Sequence, residues 1–226
     1  MEEAEGRGTA ERASRAKAKV ILLTGFRPFA QLAENSSQLV VESIAESHRS
    51  DVHCEVLTTA YHEAGTSVRR TIERLKPAAV LALGVAEGAA TIRLERLALN
   101  VDDTDIVDEA GWAPNGEAIV PDGPAAYWST LPLDTMEEAL RRRAIPVTMS
   151  NHAGTFVCNH VFYAARHFTE SAKIPIPTGF IHLPMRVDGL DMISHKPPGL
   201  PLSTLVEAVE VCLDVLSARM DVPVKR

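Results

Sequence analysis

The sequence is poor in cysteine: Cys54, Cys158 and Cys212 are the only three in 226 residues, an odd number at wide spacing. That pattern supports neither a disulfide framework nor a zinc cluster, and it fits a reducing cytoplasm. Long apolar runs are missing as well. Stretches such as Val20 to Leu23 and Ala78 to Leu83 fall far short of the ~20 residues that a membrane-spanning helix needs, so no membrane partner is expected. Basic charge is not in excess. Lys and Arg total 23 against 30 Asp and Glu, a net charge of −7, and nucleic acid is therefore not the expected partner. Neither G-x-G-x-x-G nor G-x-x-x-x-G-K-S/T occurs, and Gly25 stands alone after the first apolar run, which argues against a phosphate-binding loop. The first eighteen residues lack an apolar stretch of the kind a secretory signal carries. They are expected to be a flexible tail (1–18) ahead of one domain over 19–226.

What is present has the balance of an ordinary globular protein, 46% hydrophobic and 23% charged. Short β-rich runs alternate with helical patterns. Lys19 to Thr24, Glu55 to Thr59, Ala78 to Leu83, Ile92 to Val101, Pro146 to Met149 and Thr178 to Leu183 read as strands. Ser36 to His48, Ala64 to Leu75, Leu133 to Arg143, Thr155 to His167 and Ser203 to Met220 read as helices. This order predicts an α/β fold, a three-layer α/β/α sandwich around a mainly parallel, mixed sheet. Asp102 to Pro124 is acidic and rich in Gly and Pro, without periodicity, and is expected to be a long irregular loop of functional use.

Chemistry concentrates around Ser150-Asn-His-Ala-Gly-Thr-Phe-Val-Cys158-Asn-His160. Here a cysteine falls in the first turn of an expected helix, after a strand and a Gly-containing turn. Unpaired N–H groups and the dipole at a helix N-terminus stabilise an anion, the condition for a thiolate nucleophile and for an oxyanion site. A buried structural cysteine fits the same residues, and both readings stay open on local pattern. Cys54 and Cys212 lie in or beside apolar runs and read as packing. A thiolate needs a base: His182 ends an expected strand, while His152 and His160 flank the cysteine as rivals. No zinc spacing joins these histidines, so no metal is expected. Glu95, beside Arg96, reads by local alternation as part of a solvated strand face. Phe26 and Phe29 follow the first strand, where loop aromatics can line an apolar pocket or simply cover a helix.

Several separate motifs in one order carry a family likeness: Thr24-Gly-Phe-Arg-Pro-Phe29, Glu95-Arg96, Asn100-Val-Asp-Asp103, Asp122-Gly-Pro-Ala-Ala-Tyr-Trp-Ser-Thr-Leu-Pro132, Ala153-Gly-Thr-Phe-Val-Cys-Asn159 and Gly179-Phe-Ile-His-Leu-Pro184. Together they resemble pyroglutamyl peptidase type I, from about Val20 to the last helix. The resemblance implies a catalytic set of Glu95, Cys158 and His182 and a cysteine peptidase that removes N-terminal pyroglutamate from small peptides. It implies a ring pocket of Phe26, Phe29, Phe156 and Val157, with Asn35 contacting the lactam. It also implies the α/β/α fold, no metal or organic cofactor, and homodimers or homotetramers. Where the family pattern is Gly-Gln-Ala-Gly-Gly-Arg, this chain reads Gly84-Val-Ala-Glu-Gly-Ala89. Val85 thus replaces a lactam-binding glutamine and Ala89 an arginine. In Thr104-Asp-Ile106, Asp105 stands where an arginine is expected near the oxyanion. Val85, Asp105 and Ile106 are counted among the substrate-binding positions, with Glu87, Arg93 and Arg96 as possible compensating groups. A divergent peptidase with altered or weak activity, a noncatalytic binder and a nucleoside phosphorylase-like enzyme are the alternatives.

Overall fold

The structure, a computed structural model, describes residues 19–30, 33–188 and 198–220; the expected tail at 1–18 lies outside the described residues. In chain order the elements are β1 (Ile21–Phe26), α1 (Ser36–Glu46), β2 (Val52–Leu57), α2 (Tyr61–Leu75), β3 (Ala79–Val85), β4 (Ile92–Leu99), β5 (Asp102–Asp103) and β6 (Asn115–Glu117). There follow β7 (Ala126–Trp128), α3 (Leu133–Arg142), β8 (Val147–His152), α4 (Val157–Ser171), β9 (Thr178–Leu183), β10 (Met185–Arg186), β11 (Gly199–Leu200) and α5 (Leu202–Met220). The main sheet runs β2-β1-β3-β9-β4-β7, with β8 also paired to β4. β1, β2, β3 and β9 are parallel, β4 opposes β9, and β8 runs with β4, so the sheet is mixed. β8 occupies one edge of β4 from Ile92 to Leu97, while β9 and then β7 share the other.

Side-chain alternation sorts the central strands into two cores. Ile21 and Leu23 of β1, Leu81 and Leu83 of β3, Ile92 and Leu94 of β4, and Ile181 and Leu183 of β9 pack with α1, α3 and α5. Leu22, Val80, Ala82 and Phe180 face the other way, onto α2 and α4. Each fully buried Leu, Ile or Phe side chain contributes roughly 1.5–3 kcal/mol of transfer free energy, so these two-sided rows hold the sheet more firmly than strand propensity does. By the same parity Gly84, Glu95 and His182 point toward α4. Among the described residues no helix is long and apolar enough to cross a membrane.

Local chemistry sets the helix ends. Asn35 caps α1, its Oδ1 accepting the Ser37 N–H at 2.9 Å. α2 stops at Lys76, which is left-handed (φ 52°) ahead of Pro77.

The element types agree with the sequence reading, and several limits move. β1 and β3 run two residues further than expected, and α4 starts at Val157 rather than at 155 but continues to Ser171. β2 begins at Val52 because Val52, Cys54 and Val56 are the alternating positions packed on the core. The segment 102–124 is not wholly irregular: β5 and β6 pair antiparallel within it. Asp108 organises its turn, its Oδ1 accepting the N–H groups of Ala110 and Trp112, both at 2.9 Å. Three-residue β7 was not expected; so short a strand has no periodicity to read.

Candidate active site

Parallel strands end together, and the sheet brings the C-terminal ends of β3 and β9 side by side, with Gly84 opposite His182. β4 enters antiparallel, placing Glu95 one residue beyond the Leu94–Ile181 pair and on the face that His182 shares. His182 Nδ1 donates to Glu95 Oε1 at 2.8 Å, and both side chains are buried, Glu95 to 1% exposure. The solvated face expected from local pattern is therefore corrected for Glu95: β4 is an interior strand and α4 covers that side. Arg96, its neighbour, does face solvent. The other imidazole edge is left for Cys158, which is close enough to act on the ring. Burial alone would push the imidazole toward neutrality. The neighbouring Cys158 and Glu95 outweigh this and push His182 up to about 9.

Cys158 is the second residue of α4. The first helical hydrogen bond runs from the His160 N–H to the Phe156 carbonyl at 3.2 Å. The amides of Val157, Cys158 and Asn159 precede it and have no partner inside the helix. Asn159 anchors this end: its Oδ1 accepts the Leu99 N–H at 2.8 Å, and its Nδ2 donates to the carbonyls of Leu99 and Val101 at 2.9 and 3.0 Å. The asparagine thus pairs with the end of β4 as a strand would, tying the helix start to the strand that carries Glu95. The sequence motif carries Asn159 with no role of its own, and the structure shows its amide fully buried beside the thiol.

The rival bases separate cleanly. His160 Nδ1 lies 2.7 Å from Asp102 Oδ2 in a second buried pair, while His152 Nδ1 accepts the Gly154 N–H at 3.1 Å and is exposed. The other thiols are unsuited to attack, because burial pushes Cys54 up to about 11 and Cys212 up to about 12.

Beside Cys158 lies a slot of about 100 Å³ lined by Phe26, Phe29, Asn35, Thr59, Val85, Glu87, Phe156 and Val157. Phe29 packs on Phe156 with ring centroids 5.5 Å apart, and Tyr61 supports Phe156 from behind at 5.4 Å. Six of the eight expected binding positions meet here. Asp105 and Ile106 do not line the slot; both are exposed on the segment between β5 and β6. Thr59 and Glu87 join the lining, Thr59 held by Glu109 through its N–H at 3.0 Å. A larger cleft of about 370 Å³ between α2 and α4 holds no thiol.

A family profile for pyroglutamyl peptidase matches residues 19–219. The chain belongs to the pyroglutamyl peptidase family. It is 39% identical over 202 residues to a pyrrolidone-carboxylate peptidase of Bacillus licheniformis, covering 88% of this chain and 93% of that protein. Against a homologue of the same name from Bacillus cereus the identity is 36% over 201 residues, 87% of this chain and 92% of the relative. Among solved structures, pyrrolidone carboxyl peptidase of the hyperthermophile Pyrococcus furiosus superposes with a TM-score of 0.82 at 31% identity, covering 88% of this chain and 99% of that one. Pyroglutamyl peptidase I of Bacillus amyloliquefaciens does so with 0.82 at 32%, over 88% and 97%.

Within this pyroglutamyl peptidase fold, Gly84 is the residue that makes room for the thiol. A Cβ on Gly84 would lie 2.6 Å from Cys158 Sγ and 2.8 Å from the Phe180 ring, a separation that real Cβ atoms do not adopt. Gly84→Ala is therefore expected to displace the sulfur by an ångström or so and to lower kcat by about 100-fold or more. The melting temperature should change far less than activity. Turnover within threefold of the parent, measured on a pyroglutamyl amide, would mean that the thiol has another seat.

Proposed function

We propose that the protein is a cysteine peptidase that removes N-terminal pyroglutamate (5-oxoproline) from small peptides through a thioacyl-enzyme intermediate, within one peptidase domain over 19–226. The observation that carries this reading is the buried Glu95–His182 hydrogen bond beside Cys158, with the thiol opening on an apolar slot that has room for one small ring. In the proposed reaction the Cys158 thiolate attacks the pyroglutamyl carbonyl carbon, and the carbonyl oxygen becomes an oxyanion held by the free N–H groups at the start of α4. The His182 imidazolium gives its proton to the leaving amine as the C–N bond breaks. Water, deprotonated by His182, then cleaves the thioester and regenerates the thiol. Glu95 holds the imidazole tautomer and offsets its positive charge. Phe26, Phe29, Phe156, Val157 and Val85 enclose the ring, while Asn35 and Thr59 offer polar contacts. An N-terminal residue with a free ammonium group loses hydration in such a slot, which favours the uncharged lactam.

A cytoplasmic site of action and assembly as a homodimer or homotetramer belong to the same proposal. Three unpaired cysteines support the first, and the exposed apolar side chains of Ile106, Val107 and Trp128 support the second.

The test is hydrolysis of a pyroglutamyl amide with a fluorescent leaving group under reducing conditions. Turnover is expected, lost after thiol alkylation and unaffected by a chelator. A protein that binds the amide without cleaving it would be a noncatalytic binder on this fold instead.

A further inference from the structure

A five-membered lactam offers its surroundings one N–H donor and one carbonyl acceptor besides the scissile carbonyl. In this chain the side chain of Val85 can satisfy neither. The polar side chains of the slot are Asn35, Thr59 and Glu87, apart from Cys158 itself, and their existing hydrogen bonds decide what each has left to give. Asn35 Oδ1 already accepts from the Ser37 N–H at 2.9 Å and the Ser37 hydroxyl at 2.6 Å, and Nδ2 donates to the Arg27 carbonyl at 3.2 Å. What remains on Asn35 is one N–H, which suits the ring carbonyl and not the ring N–H. The Thr59 hydroxyl donates to the Arg27 carbonyl at 3.3 Å and keeps only a neutral oxygen.

Glu87 differs from both. It stands on the turn after β3, ahead of left-handed Gly88 (φ 74°), and has no hydrogen bond or ion pair among the described residues. Of the three charged residues near the altered motif, only Glu87 lines the slot; Arg96 donates to Asn151 Oδ1 at 3.3 Å, and neither it nor Arg93 is part of the lining. A carboxylate is an acceptor with no proton of its own, and its hydrogen bond to an amide N–H is charge-assisted.

We infer that Glu87 is a specificity-determining residue that accepts the ring N–H of the substrate, the polar contact that Val85 cannot make, while Asn35 donates to the ring carbonyl. The inference rests on the pyroglutamyl reading above and names how this chain achieves it. It predicts a preference that other acyl rings of equal size do not satisfy.

The experiment compares kcat/KM for a pyroglutamyl amide and for the isosteric lactone amide, in which a ring oxygen replaces the N–H. The parent protein should favour the lactam by about tenfold to a hundredfold, the range of a hydrogen bond to a charged group. Glu87→Ala and Glu87→Gln should lower kcat/KM on the lactam by about tenfold or more, with Glu87→Ala the lower of the two because the glutamine amide still offers a carbonyl acceptor. Both should shrink the lactam preference to a few-fold, leaving hydrolysis of the lactone amide equal or faster. Glu87 is exposed, so both variants should melt with the parent. An unchanged preference in both variants, or its loss in Thr59→Val instead, would overturn the assignment to Glu87 while leaving the peptidase reading intact. A parent protein with no turnover of the lactam amide would sink both.

Discussion

Replacing Cys158 by alanine is expected to lower kcat on a pyroglutamyl amide by on the order of 10⁵-fold or more, the scale seen when a hydrolase loses the nucleophile of a cooperating triad. No other group in the site can take over. Cys212 sits in the core beneath the opposite face of the sheet, Cys54 packs against that same core from β2, and burial keeps both thiols protonated. The fold should survive, because Cys158 is only half-buried and alanine removes one atom from a site that already opens on the slot. Residual activity within tenfold of the parent, in protein that melts normally, would remove the thiol from the mechanism. The same variant should still bind the product pyroglutamate, since the slot walls are untouched.

Glu95→Gln comes next in size, at roughly 10³- to 10⁴-fold in kcat, by the logic of a triad whose third member is neutralised without loss of shape. Two features of the site argue for the upper part of that range. Glu95 Oε2 is buried without a hydrogen-bond partner among the described residues, so a glutamine must either bury an unpaired amide there or turn the amide toward His182 Nδ1 and select the wrong tautomer. Glutamine also carries no charge to hold the imidazolium. The pH dependence supplies the second readout. Burial lowers His182, and the neighbouring Cys158 and Glu95 raise it to about 9. In the parent, kcat/KM should therefore fall as pH rises through about 9, where the general acid loses its proton. Removing the Glu95 charge takes away one of the raising contributions, so the alkaline limb must move to lower pH. An alkaline limb that stays in place would mean that Glu95 positions the ring without acting on its charge.

Two further buried groups have structural work that the chemistry does not use. In the Asp102–His160 pair the imidazole is on the same helix as the nucleophile but faces Tyr61 and His62, while the carboxylate comes from β5, and burial raises the Asp102 carboxylate above its usual range. Its place is to tie segment 102–124 to α4, as Asn159 ties β4 to the same helix turn. Both links bear on Cys158 without touching it.

Much of this was legible in the residues themselves. Alternating apolar positions located the strands, because a side chain on a central strand must enter one of two cores, and the cysteine two residues into a helix announced its own electrostatic setting. Long-range placement was not legible in the same way. Local alternation put Glu95 in water, yet β4 is paired on both edges and roofed by α4, facts that depend on chain segments over fifty residues away. On local pattern alone three histidines could serve as base; the resemblance pointed to His182, and the sheet sets it opposite Gly84 while His160 is given to Asp102. Likewise Glu87, Arg93 and Arg96 could each compensate for Val85 on paper, and only the turn after β3 brings one of them to the slot. Composition and periodicity are sums over neighbours in the chain, and they determined the elements, while the ordered motifs carried the family likeness. Proximity in space is set by how the two cores close, and that closure buries Glu95 against His182 and brings Glu87 to the slot beside the sulfur.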